Sequence, residues 1–120
     1  MTVLPYLLFD YPNCVTCKKA KQWLDENNIS YISKNIKEDP PSVEELKNIY
    51  KQSGLRLKQL FNTFGTVYRE MKLKDKIDNM TEEEQINLLS SNGMLIRRPI
   101  IIGKYKTLVG FKQKQWEELD

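Results

Sequence analysis

The chain has 120 residues, of which 19 are basic and 16 acidic, and its net charge is +3. A hydrophobic content of 40% and a charged content of 29% are typical of a globular domain rather than of a disordered chain. Basic and acidic residues are interspersed, so the sequence lacks the concentrated basic face that direct nucleic-acid binding uses. No histidine is present, which excludes histidine as a general base, a cysteine partner or a metal ligand.

The sequence predicts a cytoplasmic protein without a membrane partner. No apolar run approaches the roughly 18 residues of a membrane span, and the start of the chain lacks the pattern of a signal peptide. In the reducing cytoplasm, a close cysteine pair is more often catalytic, sensory or metal-binding than a durable structural disulfide.

The first part of the chain is predicted to form a strand, a helix and a strand. The segment PYLLFDY has the length of a strand, and CKKAKQWLDENN places Cys17, Ala20, Trp23 and Leu24 on one helical face. Residues 29–36, ISYISKNI, are rich in the branched and aromatic side chains that strands favour.

The middle of the chain is predicted to be helical. Ser42 with Glu45 and Thr81 with Glu84 have the spacing of capping boxes, which start helices, and the first of these helices is expected to end near Gly54. Between them, LRLKQLFNTFGTVYREMKLKDKI predicts short helical pieces that are interrupted at the NTFG segment.

The last part of the chain predicts a hairpin followed by a short helix. RPIII and TLVGF are strands separated by the turn GKYK, and KQKQWEEL is the helix. The order is therefore βαβ, a helical block and ββα, which predicts an α/β fold in which a crossover unit and a hairpin share one sheet. We expect a single domain over residues 1–120, with the helical insert at about 42–92.

Both cysteines, Cys14 and Cys17, lie in the segment DYPNCVTCKKAKQWL directly at the predicted start of the first helix. The free amide groups and the dipole of a helix N-terminus favour the thiolate form of Cys14. Cys17, one turn further, is expected on the buried face, where it could attack a mixed disulfide formed at Cys14. This interpretation makes Cys14 the nucleophile and Cys17 the resolving thiol.

Two other interpretations of the cysteine pair remain open. A structural zinc site needs four ligands, and two cysteines without histidine supply only half of them in one chain. The pair could also consist of two inert core residues, although a CxxC motif between a strand and a helix is more specific than an isolated CxxC.

The segments YPNCVTCKKAKQWL, NIKEDPPSVEELKNI, NGMLIRRPIII and TLVGF resemble the ArsC/Spx family of arsenate reductase-like proteins, which have the thioredoxin-like fold. The resemblance implies a cis peptide bond at Pro99, with this proline shaping the substrate site beside the cysteines. It also implies that Arg98 reaches the thiolate or an oxyanion substrate, and Arg97 is expected to face solvent.

The resemblance implies a redox activity but leaves its exact form open. A thiol–disulfide oxidoreductase would use Cys14, Cys17 and Arg98 on a small thiol or a protein disulfide, with no metal or bound organic cofactor. An Spx-like regulator would use the same cysteines as a redox switch and bind the α subunit of RNA polymerase. An arsenate reductase would need three arginines, of which Arg98 matches one, whereas Asn62 and Gly110 occupy the other two positions.

Overall fold

The strands and helices follow one another along the chain in the predicted order of βαβ, a helical block and ββα. The computed structural model describes residues 5–119, so the first four residues and residue 120 of the predicted domain lie outside the described residues. The strands are β1 (Tyr6–Asp10), β2 (Tyr31–Asn35), β3 (Ile100–Ile102) and β4 (Thr107–Val109). The α-helices are α1 (Val15–Glu26), α2 (Val43–Ser53), α3 (Thr66–Glu70), α4 (Leu73–Lys76), α5 (Glu82–Ser91) and α6 (Gln113–Trp116). Short 3₁₀ helices span Leu57–Leu60, Ile77–Asn79 and Gly93–Leu95.

The four strands form one mixed sheet in the order β2-β1-β3-β4. β1 and β2 are parallel, because α1 returns the chain to the same end of the sheet, whereas β3 is antiparallel to both β1 and β4. The α/β prediction, with a crossover unit and a hairpin in one sheet, is therefore confirmed.

Successive side chains along each strand point to opposite faces of the sheet, so each face carries one part of the hydrophobic core. Leu8 and Ile101 point to the face that α1 and α6 cover, where they pack with Ala20, Leu24 and Trp116. Phe9 and Ile100, their neighbours in the chain, point to the opposite face and pack against the helical insert. The two layers of helices fix the position of β1, and hence of the loop that follows it.

The two predicted capping boxes are present. Ser42 and Thr81 each accept a hydrogen bond from a glutamate backbone amide three residues later, at 3.1 Å, and that glutamate accepts one from the cap residue at 3.0 Å. Helix α2 ends at Gly54, whose φ of +70° is a conformation that glycine adopts without strain. Local side-chain chemistry therefore sets the limits of the insert helices.

The insert is joined to the segment that precedes β3. The Asn62 amide donates to the Leu95 carbonyl at 2.7 Å, and the Arg97 amide donates to the Leu60 carbonyl at 2.8 Å. These bonds flank an isolated antiparallel bridge between Phe61 and Ile96. They hold the insert beside the chain that leads into Arg98 and Pro99.

Within residues 5–119, no helix combines the length and the apolar character needed to cross a bilayer.

Candidate functional site

Cys14 is the N-cap residue of α1. Its backbone is extended, with φ −95° and ψ 115°, and its Sγ accepts a hydrogen bond from the Cys17 amide at 3.3 Å. A sulfur atom thus occupies the place where a serine or aspartate oxygen usually caps a helix. Cys14 is half-buried and its neighbour Val15 is 66% exposed, so the Cys14 sulfur lies at an accessible edge of the protein.

Cys17 lies one turn along α1 and is only 1% exposed. Burial raises the pKa of Cys17 from 9.0 to about 12, because the thiolate loses its solvation there. The hydrogen bond with the Cys14 side chain and the negative charges of Cys14 and Asp10 act in the same direction, whereas a backbone hydrogen bond with Tyr11 lowers this pKa. Both cysteines are free, and Cys17 is held as a protonated thiol beside the Cys14 sulfur.

Asp10, at the end of β1, is a buried carboxylate that sequence reasoning did not select. It is 4% exposed and forms an ion pair with Lys21 of α1, with 2.5 Å between Nζ and Oδ2. The pair links β1 to α1 directly beneath the cysteine loop. In the sequence, Asp10 is visible only as an acidic residue that ends an apolar strand. This signal is weak, because such residues usually lie in exposed turns.

Arg98 approaches the cysteine loop through Tyr11. Its Cζ lies 5.2 Å from the centroid of the Tyr11 ring, and the Tyr11 carbonyl accepts a hydrogen bond from the Cys14 amide at 3.0 Å. The Nε and Nη1 atoms of Arg98 are buried and have no hydrogen-bond partner among the described residues. These two donors lie on different edges of the planar guanidinium, so each is free to donate separately to an oxygen or sulfur acceptor.

The peptide bond between Arg98 and Pro99 is cis, as the resemblance implied. The Pro99 carbonyl accepts a hydrogen bond from the Gly110 amide at 2.7 Å, which holds the start of β3 against the end of β4. The part that Pro99 plays in substrate binding remains a prediction.

Arg97 differs from its expected position in solvent. It is half-buried, and a side chain at Gly110 would begin only 3.1 Å from the Arg97 Nε. Gly110, with φ +77°, therefore leaves the space in which the Arg97 guanidinium packs. Sequence reasoning missed this because strand alternation does not show that a glycine just after a neighbouring strand leaves space for the arginine.

Residues 5–119 contain no group of three or more metal-ligating histidine, cysteine, aspartate or glutamate side chains. The two cysteines are in contact, and Arg98 joins them by way of Tyr11. These atoms are suited to sulfur exchange and to holding an anion next to it.

Comparisons with known proteins identify the family of the chain. A model of the ArsC family matches residues 9–119. The chain is 53% identical to the uncharacterized protein YusI from Bacillus subtilis over 108 residues, which cover 90% of this chain and 92% of that protein. It is 32% identical to the global transcriptional regulator Spx 1 from Oceanobacillus iheyensis, with 90% and 81% covered. The crystal structure of an ArsC family related protein from Bacteroides fragilis has a TM-score of 0.95 and 50% identity, with 99% of this chain and 100% of that chain covered. The chain therefore belongs to the ArsC/Spx family and has its thioredoxin-like fold.

Proposed function

We propose that the protein is a thiol–disulfide oxidoreductase in which Cys14 is the nucleophile and Cys17 the resolving thiol. The observation that carries this proposal is the contact between a half-buried sulfur at the start of a helix and a buried thiol one turn further on. The Cys17 amide donates a hydrogen bond to the Cys14 sulfur at the N-terminus of α1, and the thiolate is the attacking species in disulfide exchange.

The reaction has two exchange steps. The Cys14 thiolate attacks one sulfur of a substrate disulfide, which forms a mixed disulfide and releases the other sulfur as a thiolate that takes up a proton. Cys17 then loses its proton and attacks the Cys14 sulfur, which releases the second substrate thiol and forms the Cys14–Cys17 disulfide. The substrate gains two electrons and two protons, and two external thiols supply the same number when they reduce the protein again.

Arg98 and Pro99 are proposed to shape the substrate site. The unpaired Nε and Nη1 donors of Arg98 would hold an anionic group of the substrate, or the thiolate itself, next to Tyr11. Pro99 would present its neighbouring backbone to the substrate beside the cysteine loop.

Intact-protein mass spectrometry with bis(2-hydroxyethyl) disulfide tests the proposed order of attack. We expect the reduced protein to become lighter by two hydrogens as its internal disulfide forms and two molecules of 2-mercaptoethanol leave. The Cys17→Ser variant should stop at the mixed disulfide, because the resolving thiol is missing.

The matched Cys14→Ser variant separates the roles of the two sulfurs. We expect it to react at least about a hundredfold more slowly, because the remaining thiol is buried and protonated. The proposal is wrong if Cys14→Ser reacts as rapidly as the unaltered protein, or if Cys17→Ser accumulates no mixed disulfide.

A redox-switched regulator that binds the α subunit of RNA polymerase is the second candidate function. It is favoured by the relatives named as global transcriptional regulators. A pull-down with the C-terminal domain of the α subunit should retain the oxidised and reduced forms to different extents. Failure to retain either form would remove this candidate.

Arsenate reduction is the third candidate, and Arg98 is the one residue of the three expected arginines that this chain supplies. Asn62 and Gly110 stand where the resemblance would require two further arginines, and neither can form a bidentate contact with an oxyanion. Purified protein that leaves arsenate unreduced when thioredoxin or glutaredoxin recycles it would remove this candidate.

A further inference from the structure

A second concave region lies beside the junction of the insert with the segment before β3. This basic cleft has a volume of about 350 Å³, within the roughly 300–1,000 Å³ range of small-molecule sites. Arg56, Lys58 and Arg97 supply its charge, and Asn62 and Phe64 contribute further lining. It includes neither cysteine, and the proposed exchange chemistry does not use it.

The positive charge of the basic cleft is not neutralised. Arg56, Lys58 and Arg97 form no ion pair with a carboxylate within residues 5–119, and no acidic side chain is among the residues that line the cleft. Three cations line one small volume, and an anion that enters it reduces the repulsion between them. Two of them are arginines, whose planar donors bind phosphate or carboxylate oxygens in pairs.

The floor of the basic cleft is held by backbone hydrogen bonds, so its shape does not depend on a ligand. Asn62 and Arg97 are both fixed through their amides to carbonyls across the junction, at 2.7 Å and 2.8 Å. The Arg56 amide donates to the Gln59 side chain at 2.8 Å, which fixes the start of the 3₁₀ helix on the other side. A prearranged site loses less conformational entropy when it binds.

The rim of the basic cleft carries an aromatic ring with no cover. Phe64 is 91% exposed, which is rare for a side chain of this size. An exposed ring next to arginine and lysine suits a ligand that joins a flat ring to a negatively charged group. The ring of the ligand can stack on Phe64 while the basic side chains neutralise its negative charge.

We propose that the basic cleft binds a small aromatic phosphate anion of nucleotide size. Its phosphate groups would contact Arg56, Lys58 and Arg97, and its ring would stack on Phe64. A phosphate chain with two or more charges matches three uncompensated cations better than a single carboxylate does.

Isothermal titration of the reduced full-length protein with ADP tests the proposal. We expect saturable binding of ADP and weaker binding of pyrophosphate and adenosine, because each of these probes lacks one half of the contacts. Arg56→Gln and Phe64→Ala should each weaken ADP binding by about tenfold. Arg56→Gln keeps the hydrogen bond to Gln59, since Arg56 donates it through its backbone amide.

Matched substitutions outside the basic cleft are the controls. Lys114→Gln removes an exposed cation, and Tyr105→Ala removes an aromatic ring that is 86% exposed. Both should leave ADP binding within about twofold of the unaltered protein. The proposal is overturned if ADP does not bind, if pyrophosphate or adenosine binds as tightly as ADP, or if the cleft variants bind ADP no more weakly than the controls do.

Discussion

The buried thiol of Cys17 should resist alkylation in the folded protein. A pKa raised from 9.0 to about 12 lowers its thiolate fraction near pH 8 roughly a thousandfold, and only the thiolate reacts with iodoacetamide. The Cys14→Ser variant leaves Cys17 as the reacting sulfur and replaces the Cys14 thiol and its charge with a neutral hydroxyl. Burial, the largest cause of the raised pKa, remains. We therefore expect Cys17 in this variant to react at least about a hundredfold more slowly than in the unfolded chain.

The assay follows the mass of the Cys14→Ser variant with time after iodoacetamide is added, once in buffer and once in concentrated urea. In buffer, the alkylation rate should rise about tenfold for each pH unit from about pH 8 to beyond pH 10. The reason is that the thiolate fraction of Cys17 levels off only when the pH reaches its raised pKa. The Cys17→Ser variant, measured in parallel, reports the reactivity of Cys14 alone. Equal rates for Cys17 in buffer and in urea would falsify the reasoning, since burial would then have no effect on this thiol.

Three further predictions concern stability. Because the folded chain holds the Cys17 proton more strongly than the unfolded chain does, the free energy of unfolding should fall as pH rises from about 9 towards 12. Urea titrations should show a steeper fall for the unaltered protein than for the Cys17→Ala variant. Asp10→Asn removes the buried half of an ion pair and should lower the free energy of unfolding by about 1–3 kcal/mol, whereas the exposed control Asp25→Asn should change it by less than about 0.5 kcal/mol. Gly93→Ala should cost at least about 2 kcal/mol in urea unfolding, because its Cβ would lie 1.7 Å from the Ile36 carbonyl oxygen.

Much of the fold could be predicted because local chemistry determines it. A few neighbouring residues determine each of three features: the capping boxes, the end of α2 at Gly54 and the interruption of the insert near Asn62. Strand starts were less accurate, for physical reasons. β2 begins at Tyr31 rather than Ile29, because the Ile29 amide is taken by the Leu24 carbonyl at the end of α1. The strand predicted for RPIII begins only at Ile100, because proline has no amide hydrogen to give to a sheet.

The sequence predicted the cysteine pair of the candidate site and, through the family resemblance, the cis bond before Pro99, but not the packing around them. The CxxC spacing indicates the contact between the two sulfurs, because three residues make nearly one helical turn. The Asp10–Lys21 ion pair and the space for the Arg97 side chain depend on which strands and helices pack together. Local sequence patterns do not predict this packing. The basic cleft likewise arises where the insert meets the segment before β3, from residues more than thirty positions apart.

The different surroundings of the two sulfurs favour one order of events. Cys17 is 1% exposed, so a substrate disulfide cannot reach it without disrupting α1, whereas Cys14 is half-buried and borders the exposed Val15. The raised pKa keeps Cys17 protonated while Cys14 attacks the substrate. Cys17 therefore does not compete with Cys14 for the substrate disulfide. Once Cys14 is in a mixed disulfide, its negative charge no longer opposes ionisation of Cys17, and one of the causes of the raised pKa is removed. One helical turn thus gives two chemically identical side chains different exposure, and burial raises the pKa of Cys17; the proposed mechanism requires both features.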